Sequence, residues 1–167
     1  MGKTDQAISI ERYKIIPRVL IFLFNKENEV LLLKGSSTKK IWPNLWNGLG
    51  GHVEPGESTL TAAKREVFEE SGLLCEKLIF FGQVIVNLGT DFGIGINIFK
   101  SGKFKGYLQS SNEGELGWFS METALRLPLV EDLYTLLPKV FVFNKGDDPL
   151  FGTYSYDSED RLVILFE

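Results

Sequence analysis

The chain is poor in cysteine and in long apolar segments. It has one cysteine, Cys75, in 167 residues, and its longest purely apolar run extends only from Val19 to Phe24. A single cysteine cannot form an internal disulfide, which is typical of proteins from a reducing compartment. A membrane-spanning helix needs roughly 20 apolar residues. We therefore expect a cytoplasmic protein with no membrane partner.

Basic residues are also scarce. Lys and Arg number 18 against 22 Asp and Glu, the net charge is −4, and no basic block occurs. Binding to a nucleic-acid polymer needs clustered Lys and Arg, so we expect no such partner. A small phosphorylated ligand is still compatible with this charge, because a bound divalent cation reverses the local sign of an acidic site.

Length and composition indicate one ordinary globular domain that covers residues 1–167. Apolar residues make up 44% of the chain and charged residues 24%, which excludes disordered and fibrous classes. Apolar runs and alternating patterns predict several strands, and periodic segments predict two or three helices. This mixture indicates a layered α/β or α+β domain.

The predicted elements follow from local signals. Residues 18–34 are predicted to form a hairpin of two buried strands. Further strands are predicted at 78–88, 92–99 and 116–119, with a last hairpin at 151–156 and 161–166. Helices are predicted at Ser58–Ser71, 121–126 and 130–142, and an earlier end at Pro138 is the alternative for the last of them. Ser58 is the expected N-cap of the first helix, and Gly72 is its expected stop.

The first predicted helix carries an unusual density of carboxylates. At about 100° per residue, Glu66, Glu69 and Glu70 project from one face, and Arg65 has the i,i+4 spacing for an ion pair with Glu69. Carboxylates this close repel one another, and a hard divalent cation such as Mg²⁺ relieves that repulsion. The glycine-rich stretch before the helix permits close backbone approach to a ligand, which together with a metal suggests phosphate chemistry. Composition alone favours the alternative, a solvated acidic surface.

The segment around this helix resembles a known signature. It fills every defined position of the Nudix motif G-x5-E-x7-R-E-U-x-E-E-x-G-U, in which U is aliphatic. The residues in those positions are Gly51, Glu57, Arg65, Glu66, Val67, Glu69, Glu70, Gly72 and Leu73. The resemblance implies a Nudix-type α/β/α sandwich with a mixed β-sheet, in which the signature forms a loop-helix-loop catalytic motif.

The same resemblance implies roles for the signature residues. Glu69 and Glu70 would be the main ligands of Mg²⁺ or Mn²⁺, joined by Glu66 and the backbone carbonyl near Gly51. Arg65 would orient the glutamates, and Glu57 would stabilise the geometry of the loop and helix. Metal-activated water would then attack phosphorus.

The sequence leaves more than one candidate for the general base. Glu69 or Glu66 could serve, and so could Glu113 or Glu115 beyond the signature. Many members carry a further acidic metal ligand in that later segment, so Glu115 is an additional metal candidate. A plain surface-loop role for Glu113 and Glu115 is the alternative.

Asn47 provides the first indication of substrate class. The segment Trp46–Gly51 resembles the strand that enters the signature of MutT-like diphosphatases, which cleave oxidised purine nucleoside triphosphates. There the residue that matches Asn47 contacts the base, and an amide can both donate to and accept from a purine edge. The alternative is a turn-forming asparagine before Gly48.

Other residues are candidates for substrate contacts. In some relatives an acidic pair recognises the purine near the position of Glu131 and Asp132, although the tryptophan that precedes that pair is absent here. Gly50, Gly51 and His52 are expected beside the phosphates; the alternative for His52 is a neutral exposed imidazole. The three tryptophans, at positions 42, 46 and 118, could stack on a base or serve in packing.

The leading hypothesis is therefore a metal-dependent hydrolase of nucleoside triphosphates that yields a nucleoside monophosphate and pyrophosphate. An oxidised purine substrate such as 8-oxo-dGTP is one candidate. An ADP-ribose or nucleotide-sugar diphosphatase is an alternative, and a non-catalytic nucleotide-sensing Nudix module is another. The expected partner is a small-molecule nucleotide, and both a monomer and a homodimer fit the sequence.

Overall fold

A mixed six-stranded sheet and a smaller three-stranded sheet form the centre of the fold. The computed structural model describes residues 12–38, 41–89, 91–109 and 114–167. The large sheet has the strand order β4-β1-β6-β5-β8-β9, and the small one has the order β3-β2-β7. The strands are β1 (Lys14–Leu23), β2 (Val30–Gly35), β3 (Trp46–Asn47), β4 (Leu49–His52), β5 (Leu74–Asn87), β6 (Phe92–Lys105), β7 (Gly114–Phe119), β8 (Leu150–Tyr156) and β9 (Leu162–Phe166). The helices are α1 (Thr59–Ser71), α2 (Met121–Ala124) and α3 (Leu133–Val142).

Strand β1 is buried on both faces. Val19, Ile21 and Leu23 pack in a cluster with Ala62, Ala63 and Val67 of α1. The alternate residues Leu20 and Phe22 pack in a second cluster with α3. Successive strand side chains point to opposite faces, so one continuous apolar run fills both layers. The mixed sheet with helices on its two faces confirms the expected α/β/α architecture.

The predicted hairpin of residues 18–34 is wrong for most of its length. Only one bridge, between Phe24 and Val30, joins the two strands. Both edges of β1 are already occupied, by β4 in antiparallel and by β6 in parallel pairing. Strand β2 therefore has no free edge of β1 to join, and it pairs with β3 and β7 in the small sheet.

Helix α1 has the predicted ends. The Ser58 side chain accepts a hydrogen bond from the Thr61 N–H, and Gly72, in the left-handed conformation at φ 73°, donates its N–H to the Phe68 carbonyl. These local caps satisfy backbone groups that the helix leaves unpaired.

Helix α3 ends at Val142, as predicted, and Pro138 lies inside the helix and not at its end. Proline removes one backbone donor, yet Leu136, Leu137 and Val140 are fully buried around it. Lys100 Nζ also donates to the carbonyls of Phe141 and Phe143, at 2.7 and 2.8 Å, and so fixes the end of the helix. Among the described residues no helix has the length and apolarity required to cross a membrane.

The two later hairpins are confirmed. Strands β5 and β6 pair in antiparallel fashion and are longer than predicted. Strands β8 and β9 form the last hairpin, and β8 lies parallel to β5. The C-terminal hairpin thus extends the large sheet and adds a wall to the pocket described below.

Candidate active site

Arg65 joins the glutamates of the signature to the loop before α1. Its Nη1 donates to Glu66 Oε1 at 2.8 Å and to Glu69 Oε2 at 2.9 Å. Its Nη2 donates to the His52 carbonyl at 2.9 Å and to Glu57 Oε2 at 3.0 Å, and its Nε donates to Glu57 Oε1 at 2.8 Å. A guanidinium has five N–H donors, so each of them has an acceptor. The predicted i,i+4 ion pair with Glu69 is present.

Glu57 fixes the loop on the helix. Besides its two hydrogen bonds with Arg65, its carboxylate accepts a bond from the Glu54 N–H at 3.1 Å. Arg65 first, and then the Glu54 N–H, hold the pKa of the Glu57 carboxyl below its ordinary value. The three glutamates held by Arg65 raise the pKa of its guanidinium. Such an arrangement suits Glu57 to the loop-stabilising role that the resemblance implies.

Glu70 connects α1 to β4. The Gly50 N–H donates to Glu70 Oε2 at 2.8 Å, and only 5% of Glu70 is exposed. A Cβ added at Gly51 would lie 2.6 Å from the Glu66 Cδ, which is severe overlap. Glycine at position 51 therefore makes room for the Glu66 carboxylate, in addition to any backbone approach to a ligand.

The donor set suits a hard divalent cation. Glu66, Glu69 and Glu70 offer carboxylate oxygens, the ligands that Mg²⁺ and Mn²⁺ prefer. The hydrogen bonds from Arg65 to Glu66 and Glu69 use one oxygen of each carboxylate. In the described part of the chain, no three His, Cys, Asp or Glu side chains are already grouped as a metal site. The fit is thus one of donor chemistry, and the roles of the individual glutamates stay predictions.

Three adjoining cavities run from this loop across the large sheet. The first, of about 360 Å³, is lined by Asn47, Gly50, Gly51, His52 and Glu70. A small one of about 90 Å³ connects it towards Asp132. The third, of about 370 Å³, lies between the segment that precedes α3 and the ends of β5, β6, β8 and β9. Arg18 and Trp42 line all three, so together they form one groove.

Asn47 and His52 both line the groove, with different partners. The Asn47 Oδ1 accepts a bond from the Gly48 N–H at 2.8 Å, which is the turn-forming contact. Its position in the first cavity leaves the side-chain NH₂ as a donor for a ligand. The exposed His52 accepts a bond from Arg18 Nε at its Nε2, at 3.1 Å, which requires a neutral imidazole.

The acidic pair lies at the other end of the groove. Glu131 and Asp132 line the third cavity together with Tyr154. Burial raises the pKa of the Asp132 carboxyl to about 6, and the negative charge of Glu131 acts in the same direction. The sequence-predicted substrate residues therefore lie at two ends of one groove.

Glu115 lies on β7, opposite Lys34 of β2. Its side chain is 70% exposed and lies 4.0 Å from Lys34 Nζ. Its neighbour Leu116 packs in the cluster that contains α1, so Glu115 points from the opposite face of the small sheet. The role of Glu115 as a metal ligand stays a prediction, and Glu113 lies outside the described residues.

The tryptophans separate into one groove residue and two packing residues. Trp42 is 44% exposed and lines the groove. Trp46 is buried against Phe119, with ring centroids 4.8 Å apart. Trp118 stacks on Phe104 at 5.6 Å.

Arg18 is a groove residue that the sequence analysis missed. It pairs with His52 across β1 and β4, and burial lowers the pKa of its guanidinium. Its signal in the sequence is a single cation immediately before the apolar run Val19–Phe24. A charge at that position, at the edge of a buried strand, can face a ligand without entering the core.

Two proteins of named activity share sequence with this chain. An oxidized purine nucleoside triphosphate hydrolase of Danio rerio is 32% identical over 92 residues, which cover 54% of this chain and 59% of that protein. An m7GpppN-mRNA hydrolase of Bos taurus is 49% identical over 55 residues, which cover 33% of this chain and 18% of that protein. The matches thus span less than two thirds of either relative. Both relatives are named hydrolases, in agreement with the enzyme class expected from the signature.

The structural comparison and the family model agree with the sequence relatives. The crystal structure of a MutT protein from Bacillus halodurans superposes with a TM-score of 0.76 at 23% identity, over 92% of this chain and 98% of that chain. The family model of the NUDIX domain matches residues 14–140, which include the whole signature. Members of this family generally use a divalent metal. The chain therefore belongs to the Nudix family, with a MutT-like fold.

Proposed function

We propose that this protein is a metal-dependent hydrolase that cleaves a nucleoside triphosphate to a nucleoside monophosphate and pyrophosphate. The observation that carries the proposal is the single groove between two chemically different ends. One end holds the signature glutamates and Gly50–His52, and the other holds Asp132 within a largely apolar cavity. A nucleotide has the same polarity, with phosphates at one end and a flat heterocyclic base at the other.

The polar end suits the diphosphate. Arg18 lies between the cavities and supplies a positive charge for phosphate oxygens. The end of strand β4, Gly50–His52, is fixed by Glu70 and Arg65, so it need not become ordered when the substrate binds. A preorganised site of this kind loses less entropy on binding.

The hydrolysis itself is a displacement at phosphorus. The oxygen of water bonds to the α- or the β-phosphorus, the bridging P–O bond between these two atoms breaks, and the nucleoside monophosphate and pyrophosphate separate. One glutamate accepts the proton that water gives up. Glu69 is the better placed of the two helix candidates, since its side chain is 55% exposed and that of Glu66 only 13%.

The divalent cation belongs near Glu66, Glu69 and Glu70. When bound there, it would neutralise charge on the diphosphate and acidify water. Arg65 would hold Glu66 and Glu69 in their orientation while one oxygen of each faces the ion. The substrate part of the proposal draws on the relative from Danio rerio, whose name specifies oxidised purine nucleoside triphosphates.

A nucleotide screen tests the proposal. Purified protein is incubated with Mg²⁺ and a panel of canonical and oxidised nucleoside triphosphates, ADP-ribose, a nucleotide sugar and a capped dinucleotide. Products are separated by chromatography. We expect the monophosphate and pyrophosphate from at least one triphosphate, and an oxidised purine nucleotide as the best substrate.

Controls separate the alternatives. The Glu69→Gln variant should lower turnover about 100-fold or more, and excess EDTA should abolish turnover until Mg²⁺ or Mn²⁺ is restored. Cleavage of ADP-ribose or the nucleotide sugar alone would replace the proposed substrate class. Nucleotide binding without any turnover would favour a sensing module, and turnover that persists in EDTA would overturn the metal dependence.

A further inference from the structure

Tyr154, on strand β8, has a buried hydroxyl that makes no well-aligned hydrogen bond among the described residues. Only 3% of the residue is exposed, and the polar group that acts on its hydroxyl is the nearby Asp132 carboxyl. Leaving a buried polar group unpaired costs free energy, so such groups are rare and need an explanation. Tyr154 also lines the third cavity of the groove.

The position of Tyr154 is fixed by the two strands that pair with β8 and by the Phe166 ring. Strand β8 pairs with β5 on one side and with β9 on the other. The ring of Tyr154 packs edge-on against Phe166, with ring centroids 6.2 Å apart. The hydroxyl is therefore held in place at the wall of the cavity, and it belongs to a hairpin beyond the residues 14–140 that match the family model.

Asp132 shares this cavity with Tyr154. Burial first, and then the negative charge of Asp132, raise the pKa of the Tyr154 hydroxyl. The phenol therefore stays protonated near neutral pH and can donate a hydrogen bond. The cavity thus offers one donor, the Tyr154 O–H, and one acceptor, the Asp132 carboxyl, between apolar walls that include Ile94 and Ile96.

We propose that Tyr154 is a specificity residue whose hydroxyl donates to the edge of a nucleotide base, beside a base N–H that the Asp132 carboxyl accepts. The inference rests on the proposed nucleotide substrate and deepens it. The matching ligand group is a flat heterocycle with an acceptor next to a donor on one edge. The C-terminal hairpin is then part of the substrate site as well as an extension of the sheet.

The test is the Tyr154→Phe variant, which removes the hydroxyl and keeps the ring. Isothermal titration measures the dissociation constants of guanosine, adenosine, cytidine and uridine monophosphates, which need no hydrolysis. For the base that the site prefers, we expect binding weaker by roughly 2- to 12-fold, the effect of one lost neutral hydrogen bond. In the hydrolysis assay the loss should appear as a raised KM for the triphosphate of that base, with the KM for the other triphosphates unchanged.

Thermal unfolding distinguishes a ligand contact from a structural role. Removing a buried hydroxyl that makes no well-aligned hydrogen bond should leave the melting temperature of the ligand-free protein unchanged or raise it. Tyr107→Phe is the matched control, since Tyr107 is 88% exposed; it should change neither binding nor melting.

The outcomes are separable from those of the nucleotide screen. Unchanged dissociation constants for all four monophosphates, or no binding to the wild type, would overturn the inference. So would a lowered melting temperature together with weaker binding, since that is the signature of a packing role. Weaker binding by Tyr154→Phe in a protein that hydrolyses no nucleotide would support the inference and refute the proposed function.

Discussion

Arg65 and Glu57 form a two-point contact, with Nε 2.8 Å from Oε1 and Nη2 3.0 Å from Oε2. Glu57 lies in the loop before α1 and Arg65 lies on the helix itself. The pair therefore fixes the distance between the loop and the helix. The same guanidinium also bonds Glu66 and Glu69, so the loop and the glutamates depend on one side chain.

The first prediction follows from this geometry. A lysine carries its charge on one nitrogen and cannot reproduce the planar fork, so Arg65→Lys should release Glu57, Glu66 or both. We expect turnover to fall about 10- to 100-fold, the usual effect of disturbing groups that orient a metal site. Steady-state kinetics with Mg²⁺ measure the loss, and Lys64→Arg on the same helix serves as the control. Wild-type turnover in Arg65→Lys would contradict the orienting role.

The ends of α1 were predictable because their signals are local. Ser58 and Gly72 cap the helix through bonds to residues within one turn. The separation of β1 from β2 was not predictable in this way. It depends on β6, a strand far along the chain, which occupies the second edge of β1. Periodicity identifies strands but does not show which neighbours they will have.

The second prediction concerns the two adjacent glutamates, Glu69 and Glu70. Glu69→Gln and Glu70→Gln should each lower turnover about 100-fold or more, the scale of losing a central catalytic group. Both variants should fold, because the removal of one charge relieves repulsion. Glutamine at position 70 can still accept from the Gly50 N–H through its amide oxygen.

Steady-state kinetics and thermal unfolding measure both effects. Glu122→Gln is the matched control, since Glu122 lies on α2, outside the groove, and pairs with Arg126 beyond the end of that helix. If either signature variant keeps wild-type turnover, that residue is not part of the metal site.

The third prediction separates the two interpretations of Asn47. Asn47→Asp keeps an oxygen for the Gly48 N–H but removes the NH₂ donor, and Asn47→Ala removes both. If Asn47 contacts a purine, both variants should raise the KM for purine nucleotides by roughly 2- to 12-fold and leave pyrimidine kinetics unchanged. If the turn alone matters, Asn47→Asp should behave as wild type, and Asn47→Ala should impair purines and pyrimidines equally.

The candidate site could be predicted only in part. The signature glutamates lie within one short segment of the sequence, and the acidic pair lies within another, so a resemblance can locate each of them. Arg18, Trp42 and Tyr154 come from three different segments and meet only in the folded groove. Nothing local distinguishes Tyr154 from Tyr156, which lines the same cavity but is 51% exposed. The distinction between them arises from burial, which is a property of the whole fold.

The last prediction concerns the effect of pH on stability through Asp132. Burial raises the pKa of its carboxyl from 3.8 to about 6, with a contribution from Glu131 on the same segment, while Tyr154 opposes the shift. Arg18 is the cation that lines the same cavity. Between pH 3.8 and about 6, the Asp132 carboxyl is mostly protonated in the folded protein and mostly ionised in the unfolded chain. The contribution of Asp132 to the free energy of unfolding is therefore full below about pH 4 and is lost as the pH rises through about 6. The loss is at most about 3 kcal/mol, from 1.36 kcal/mol per pKa unit.

Other carboxylates act in the opposite direction, since the pKa values of Glu57 and Asp157 are lowered, so the wild-type curve alone does not isolate Asp132. Urea unfolding of the wild type and of Asp132→Asn should be compared from pH 4 to pH 8, because asparagine does not titrate. We expect the variant to gain stability relative to the wild type as the pH rises, with most of the gain between pH 4 and 6. A difference between the two proteins that does not change with pH would mean that Asp132 titrates in the folded protein as it does in the unfolded chain.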